Sequence, residues 1–162
     1  MRPTTLFAAA VALLSVNLTC PPPSAHAEQV TWFGTRSEDA ASLIYGTPAS
    51  GYGRIAFTCQ VGQDELSFAY EHEPTNAVDG VEVDAVLAAG DVEVSIPTTG
   101  ARLEIDDVFL LEGQARLDDA LRKLLTSGGV LTIMVEDGAA EYPLDGAAQA
   151  AEHLLQACSP DA

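Results

Sequence analysis

The sequence predicts an α+β domain: an antiparallel sheet of about six to eight strands with two helices packed on one of its faces. Three observations predict it. Two neighbouring segments, 54–61 and 65–71, alternate apolar and polar residues with the period of a half-buried strand. Two later segments place Leu117, Leu121, Leu124 and Leu125, then Ala147, Ala151, Leu154, Leu155 and Cys158, at the spacing of a helical stripe. Cys59 falls on the apolar side of the first strand and Cys158 on that of the last helix, where a disulfide ties helix to sheet.

At the N-terminus, Met1-Arg2-Pro3 precedes an apolar run from Leu6 to Leu18. One basic residue ahead of a short apolar run reads as a secretory signal. It falls short of the roughly 20 apolar residues a membrane span needs. Pro21-Pro22-Pro23 ends it, and Ala25-His26-Ala27 offers a cleavage site after Ala27. The expected organisation is a cleaved signal peptide, 1–27, and a single acidic domain, 28–162, that is periplasmic or secreted. Thr19 and Asn17 depart from the pattern of a lipoprotein signal, so Cys20 is assigned to the cleaved segment rather than to a lipid anchor.

Val30 and Trp32 suggest a short first strand. The stretch 38–46 carries two readings. One is a strand over Ala41–Tyr45. The other is a short helix capped by Ser37 and ended by Gly46. The β-branched and aromatic residues favour the strand. Gly46 to Gly53 reads as a loop. Ile55, Phe57, Cys59 and Val61 then face one way, and Leu66, Phe68 and Tyr70 follow after a turn, as a hairpin. Val81, Val83, Ala85 and Leu87 make the next apolar face, and Val92, Val94 and Ile96 another. Pro97-Thr98-Thr99-Gly100 reads as a turn leading to Ala101, Leu103 and Ile105 facing inward.

The leucine stripe makes the first helix. Asp118 and Asp119 stand in its first turn and Arg122 and Lys123 near its end, an order that suits the helix dipole and two i, i+4 ion pairs. Val130–Val135 is nearly all apolar and predicts a strand buried on both faces. A short strand ends at Tyr142-Pro143-Leu144, and Asp145 is positioned to cap the last helix.

Several short motifs carry a resemblance. These are the tryptophan soon after the cleavage site, Tyr45-Gly46-Thr47-Pro48, Phe57-Thr58-Cys59, and Tyr142-Pro143-Leu144-Asp145-Gly146 followed by an alanine-rich helix reaching Cys158. Across most of the mature chain they resemble a loose group of small bacterial exported, periplasmic proteins. The resemblance implies fold and compartment, and brings no activity with it.

Charge narrows the function. The chain has 24 acidic residues against seven basic ones, a net charge of −17. Nucleic acid and anionic membrane surfaces both require basic contacts and would be repelled. A basic or cationic protein partner in the cell envelope fits, beside the plainer reading of a solvated acidic surface. No G-x-S-x-G elbow, phosphate loop or zinc spacing occurs, so no cofactor is expected.

Candidate chemistry is sparse. His72 stands at a strand end between Glu71 and Glu73, a base with carboxylates beside it. Strand neighbours point to opposite faces, so neither glutamate need touch it. His153 lies off the apolar stripe of the last helix. Asp79, Glu82 and Asp84, and then Glu104, Asp106 and Asp107, gather oxygens of the kind calcium takes, without an EF-hand loop. Trp32, Phe33, Tyr45 and Tyr52 surround the glycine-rich loop and are candidate recognition residues. The favoured expectation is a non-enzymatic binding or interaction module. The alternatives are a small periplasmic hydrolase using His72 and carboxylates, and an acidic calcium binder.

Overall fold

A computed structural model describes residues 29–104 and 106–159. The expected signal peptide and cleavage site, with Cys20, and also Ile105, lie outside the described residues. Nine antiparallel strands form one open, curled sheet in the order β1-β2-β3-β4-β7-β6-β5-β8-β9. They are β1 Thr31–Arg36, β2 Ala40–Thr47, β3 Tyr52–Gln60, β4 Glu65–Glu71, β5 Glu82–Ala89, β6 Val92–Leu103, β7 Val108–Arg116, β8 Val130–Val135 and β9 Gly138–Pro143. The helices are α1, Asp119–Thr126, and α2, Ala147–Ala157.

The alternating segments fold as expected. Ile55, Phe57 and Cys59 of β3 and Leu66, Phe68 and Tyr70 of β4 are buried. The 38–46 stretch is the strand β2. Ser37 does not cap a helix; its hydroxyl and amide both donate to the Ala40 carbonyl in the turn from β1.

The strand count is higher than expected, and two segments differ from their sequence reading. Val108–Arg116 is a strand that the sequence hid, because Val108-Phe109-Leu110-Leu111 is continuously apolar and shows no alternation. In the other direction, Pro97–Gly100 is no turn: β6 runs unbroken for 12 residues. The face assignment beyond Pro97 therefore reverses. Thr98 and Gly100 are buried, while Leu103 is exposed. The Thr98 hydroxyl is satisfied inside by donating to the Val83 carbonyl at 2.5 Å.

The two helices rest on different strands and touch each other. α2 packs on β1, β2 and β3, whereas α1 packs on β6 and on α2. A Cβ at Gly34 would run into the Ala150 carbonyl, so the glycine in β1 is what lets α2 approach this closely. Cys59 and Cys158 are bonded, closing the disulfide between β3 and the end of α2. Asp118 caps α1, its carboxylate accepting from the Leu121 N–H at 2.9 Å.

The two i, i+4 ion pairs of α1 do not form. Arg122 instead donates to the Leu117 and Leu155 carbonyls and the Ser159 hydroxyl, and Lys123 reaches Asp91 at 2.9 Å. Tertiary acceptors win over exposed carboxylates one turn away. β8 alternates rather than being buried on both faces: Leu131, Ile133 and Val135 are buried, and Val130 is exposed. The N-cap of α2 is Gly146, with φ of 80° and no side-chain cap, not Asp145.

Candidate functional site

The titratable side chains nearest to a chemical arrangement gather at one rim of the sheet. β4 ends at Glu71, and the chain carries on through His72, Glu73 and Thr75. Period two places His72 on the same side as Tyr70, and the two rings stack with centroids 5.7 Å apart. The β8–β9 turn brings Asp137 against them. His72 Nε2 lies 3.1 Å from Asp137 Oδ1, and Oδ2 accepts from the Thr75 N–H at 2.5 Å and the Thr75 hydroxyl at 2.8 Å. These three hydrogen bonds, that of His72 first, hold the Asp137 carboxyl down at about 2.

An ionised carboxylate only accepts, so His72 Nε2–H donates to it, and Nδ1 carries the free lone pair of the neutral ring. That is the arrangement of an oriented base. A hydrolase also needs a nucleophile bonded to that base. Among the described residues no hydroxyl or thiol is bonded to His72, and Thr75, the hydroxyl closest in the network, is committed to Asp137. Glu71 and Glu73, the sequence neighbours, go elsewhere. Glu71 accepts from the Tyr52 hydroxyl, and Glu73 is paired with Arg102, which also binds Asp107 at 3.0 Å. The Arg102 guanidinium sits over the Phe109 ring, 5.5 Å from its centroid. A shallow cleft lined by Arg54, Glu71, His72, Glu73, Asp107 and Phe109 opens beside the pair.

The aromatic candidates separate. Trp32 is buried, and its indole N–H donates to the Pro143 carbonyl at 2.7 Å. Tyr45 packs between Trp32 and Tyr142, with ring centroids 5.1 and 5.4 Å away. Tyr142 and Tyr70 share a hydroxyl–hydroxyl bond of 3.1 Å; burial and that bond together raise the Tyr70 phenol above its ordinary range. Tyr52 stands apart at the surface, 40 % exposed. Slight burial and Glu71 beside it raise its phenol as well. Phe33 is half-buried on the outer face of β1, and His153 is exposed on α2.

The acidic candidates do not assemble into a cage. Asp79 accepts from the Arg102 backbone N–H, Asp107 is held by the Arg102 side chain, and Glu82 and Asp84 point outward from β5. Among the described residues no three of His, Cys, Asp and Glu converge in a metal-binding group.

Asp137 and Thr75 are the partners that sequence reasoning missed. Asp137-Gly138 carries only a turn signal, and nothing local links it to a histidine 65 positions earlier. No protein-family model, curated protein or solved structure matches this chain.

Proposed function

We propose that this chain is an exported, non-enzymatic binding module whose partner is a basic protein of the cell envelope. The observation that carries this reading is the balance of surface charge. Of the 22 acidic residues among those described, only Glu73, Asp64, Asp91, Asp107 and Asp137 are in ion pairs. The remaining carboxylates leave a field that attracts a cationic surface and speeds encounter with it. Two further facts support a surface rather than an internal site. No buried side-chain nitrogen or oxygen among the described residues lacks a hydrogen-bond partner, so the core presents no orphaned group for a ligand. The disulfide and the N-terminal signal pattern fit an oxidising, exported setting.

The His72–Asp137 pair favours a second reading, a hydrolase in which Asp137 orients His72. In the binding-module reading the same pair has a structural role. It ties the β8–β9 turn to the segment after β4.

The test uses the oxidised, exported chain as bait in cell-envelope extract, washed at low and at high salt. A stoichiometric basic partner released by high salt is expected, because screened charges lose most of their attraction beyond about 10 Å at 0.1 M salt. No partner at either salt would overturn the reading and turn attention to hydrolase substrates, with His72→Ala as the control.

A further inference from the structure

β7 runs beside β6 for only half of the length of β6. The register pairs Thr98 with Gly113 and continues to Leu103 with Val108. From Val92 to Pro97, β6 has β5 on one side and no strand on the other. Pro97 explains where the ladder stops. The Gly100 N–H and C=O both bond toward the β5 side, to Val81 and Gly80. Strand backbone groups alternate sides, so those of Thr99, Pro97, Ser95 and Glu93 point toward β7. Pro97 has no N–H to offer there, and the strands part.

Glu93 and Ser95 therefore direct N–H and C=O groups into a gap with no strand opposite among the described residues. β7 faces the gap in the same way. Phe109 and Leu117 bond toward β4, so Gln114 points toward β6. A groove of about 570 Å³ lies at the root of the gap, lined by Ser67, Ala69, Pro97, Thr99, Glu112 and Gln114. A second depression, bounded by Glu82, Asp84 and the same Pro97 and Thr99, continues it across β5.

Charge and shape state what fits. The register sets Glu82 beside Thr99, Thr99 beside Glu112, and Asp84 beside Pro97, while Glu93 projects from the same outer face. No basic residue lines either depression. Of the basic residues on β6, β7 and α1, Arg102 is held by Glu73 and Asp107, Arg116 by Asp64 and Lys123 by Asp91. α1 packs on β6, and on the inner side of the same edge Val94 is only partly buried against the core.

We infer that the Glu93–Pro97 edge of β6 receives an extended segment of a partner protein, added as a strand, with lysine or arginine alternating with apolar residues. Main-chain bonds to Glu93 and Ser95 supply the pairing. The basic side chains lie on the outer face among Glu82, Asp84, Glu93 and Glu112, and the apolar ones turn inward toward Val94. This rests on the binding-module reading and assigns it a surface.

The experiment titrates the oxidised chain with a capped (Lys-Val)4 peptide and follows backbone amides by NMR and hydrogen exchange. Protection of the Glu93 and Ser95 amides is expected, with a (Glu-Val)4 peptide failing to bind. Ser95→Pro removes the edge donor, and Glu93→Lys reverses one charge without touching the backbone. Glu93→Lys should weaken (Lys-Val)4 by about tenfold or more, the scale of one lost charge-assisted contact, and Ser95→Pro by about fivefold, the scale of one lost backbone bond. Three results would overturn the inference. They are unprotected Glu93 and Ser95 amides at saturating peptide, equal binding of (Glu-Val)4, and protection that grows with protein concentration alone, which means self-pairing. An envelope partner retained fully by Ser95→Pro and Glu93→Lys would sink this edge and leave the binding-module reading standing.

Discussion

The sheet is interrupted twice, and the two interruptions are finished differently. One is the seam between the edge strands β1 and β9, which are not hydrogen-bonded to each other. The other is the gap between β6 and β7 beyond Pro97. The seam is crossed by side chains. The Trp32 indole reaches the Pro143 carbonyl, and Tyr142 packs on Tyr45 and bonds Tyr70. α2 lies on β1 and β2 and is locked to β3 by the Cys59–Cys158 disulfide. The gap has α1 packed on β6, but its outer side keeps exposed Glu93, Ser95 and Pro97. An edge closed by aromatic packing and a covalent bond is spent on stability. An edge that stays exposed is free to pair with something else.

The largest test of this contrast removes the covalent bond. Replacing Cys59 and Cys158 with serine opens a loop of 99 residues. The loop-entropy model gives about 4.7 kcal/mol for a loop of this size, and removing native disulfides typically costs about 2–5 kcal/mol. Denaturant unfolding of the double variant should show a loss in that range. Hydrogen exchange should rise along β1 and α2 before it rises in β6 and β7. A loss below about 1 kcal/mol, or opening that starts at β6, would mean that the seam does not depend on the staple more than the gap does.

A smaller effect, of opposite sign, is expected at the gap. Pro97→Val restores a backbone N–H that points toward β7, where one further step of the Thr98–Gly113 register sets Gln114 opposite it. One added ladder bond and a β-branched residue should stabilise the fold by about 1 kcal/mol. The urea midpoint should rise, and the amide gained at position 97 should exchange slowly. A fall in the midpoint would show that something other than the missing donor holds the two strands apart.

Pro97 also marks the limit of what could be read from sequence. Residues 54–71 were legible because each strand has one dry and one wet face, which stamps a period of two on the chain. The leucines of α1 and the alanines of α2 were legible for the same reason at helical spacing. Cys59 and Cys158 could be joined because both patterns fix a side-chain direction. Pro97-Thr98-Thr99-Gly100 has the composition of a turn, and only the partner strands show that the proline donor falls in a gap. β7 was hidden by Leu110, an apolar residue on the outer face that erases the alternation. The candidate site was less legible still. His72 could be singled out, but its carboxylate comes from a turn 65 residues away and not from Glu71 or Glu73. Long-range pairs of that kind leave no periodic trace.

The smallest effect concerns that pair, which fastens the β8–β9 turn to the far side of the sheet. Asp137 is partly exposed, so its contribution is modest. Its direction is nonetheless fixed. The folded carboxyl ionises down to about 2, against an ordinary 3.8. The unfolded chain therefore binds the proton first as pH falls. Stability from this group is complete above about pH 5 and is lost as pH drops through the folded value, by linkage. Asp137→Asn abolishes the ionised acceptor at every pH. The gap in melting temperature between the native chain and Asp137→Asn should narrow between about pH 4 and pH 2, and close below that window. A gap that stays the same through the window would assign the effect to shape at position 137 rather than to charge. The fastening of the turn would then be packing, as it is at Trp32 and Tyr142.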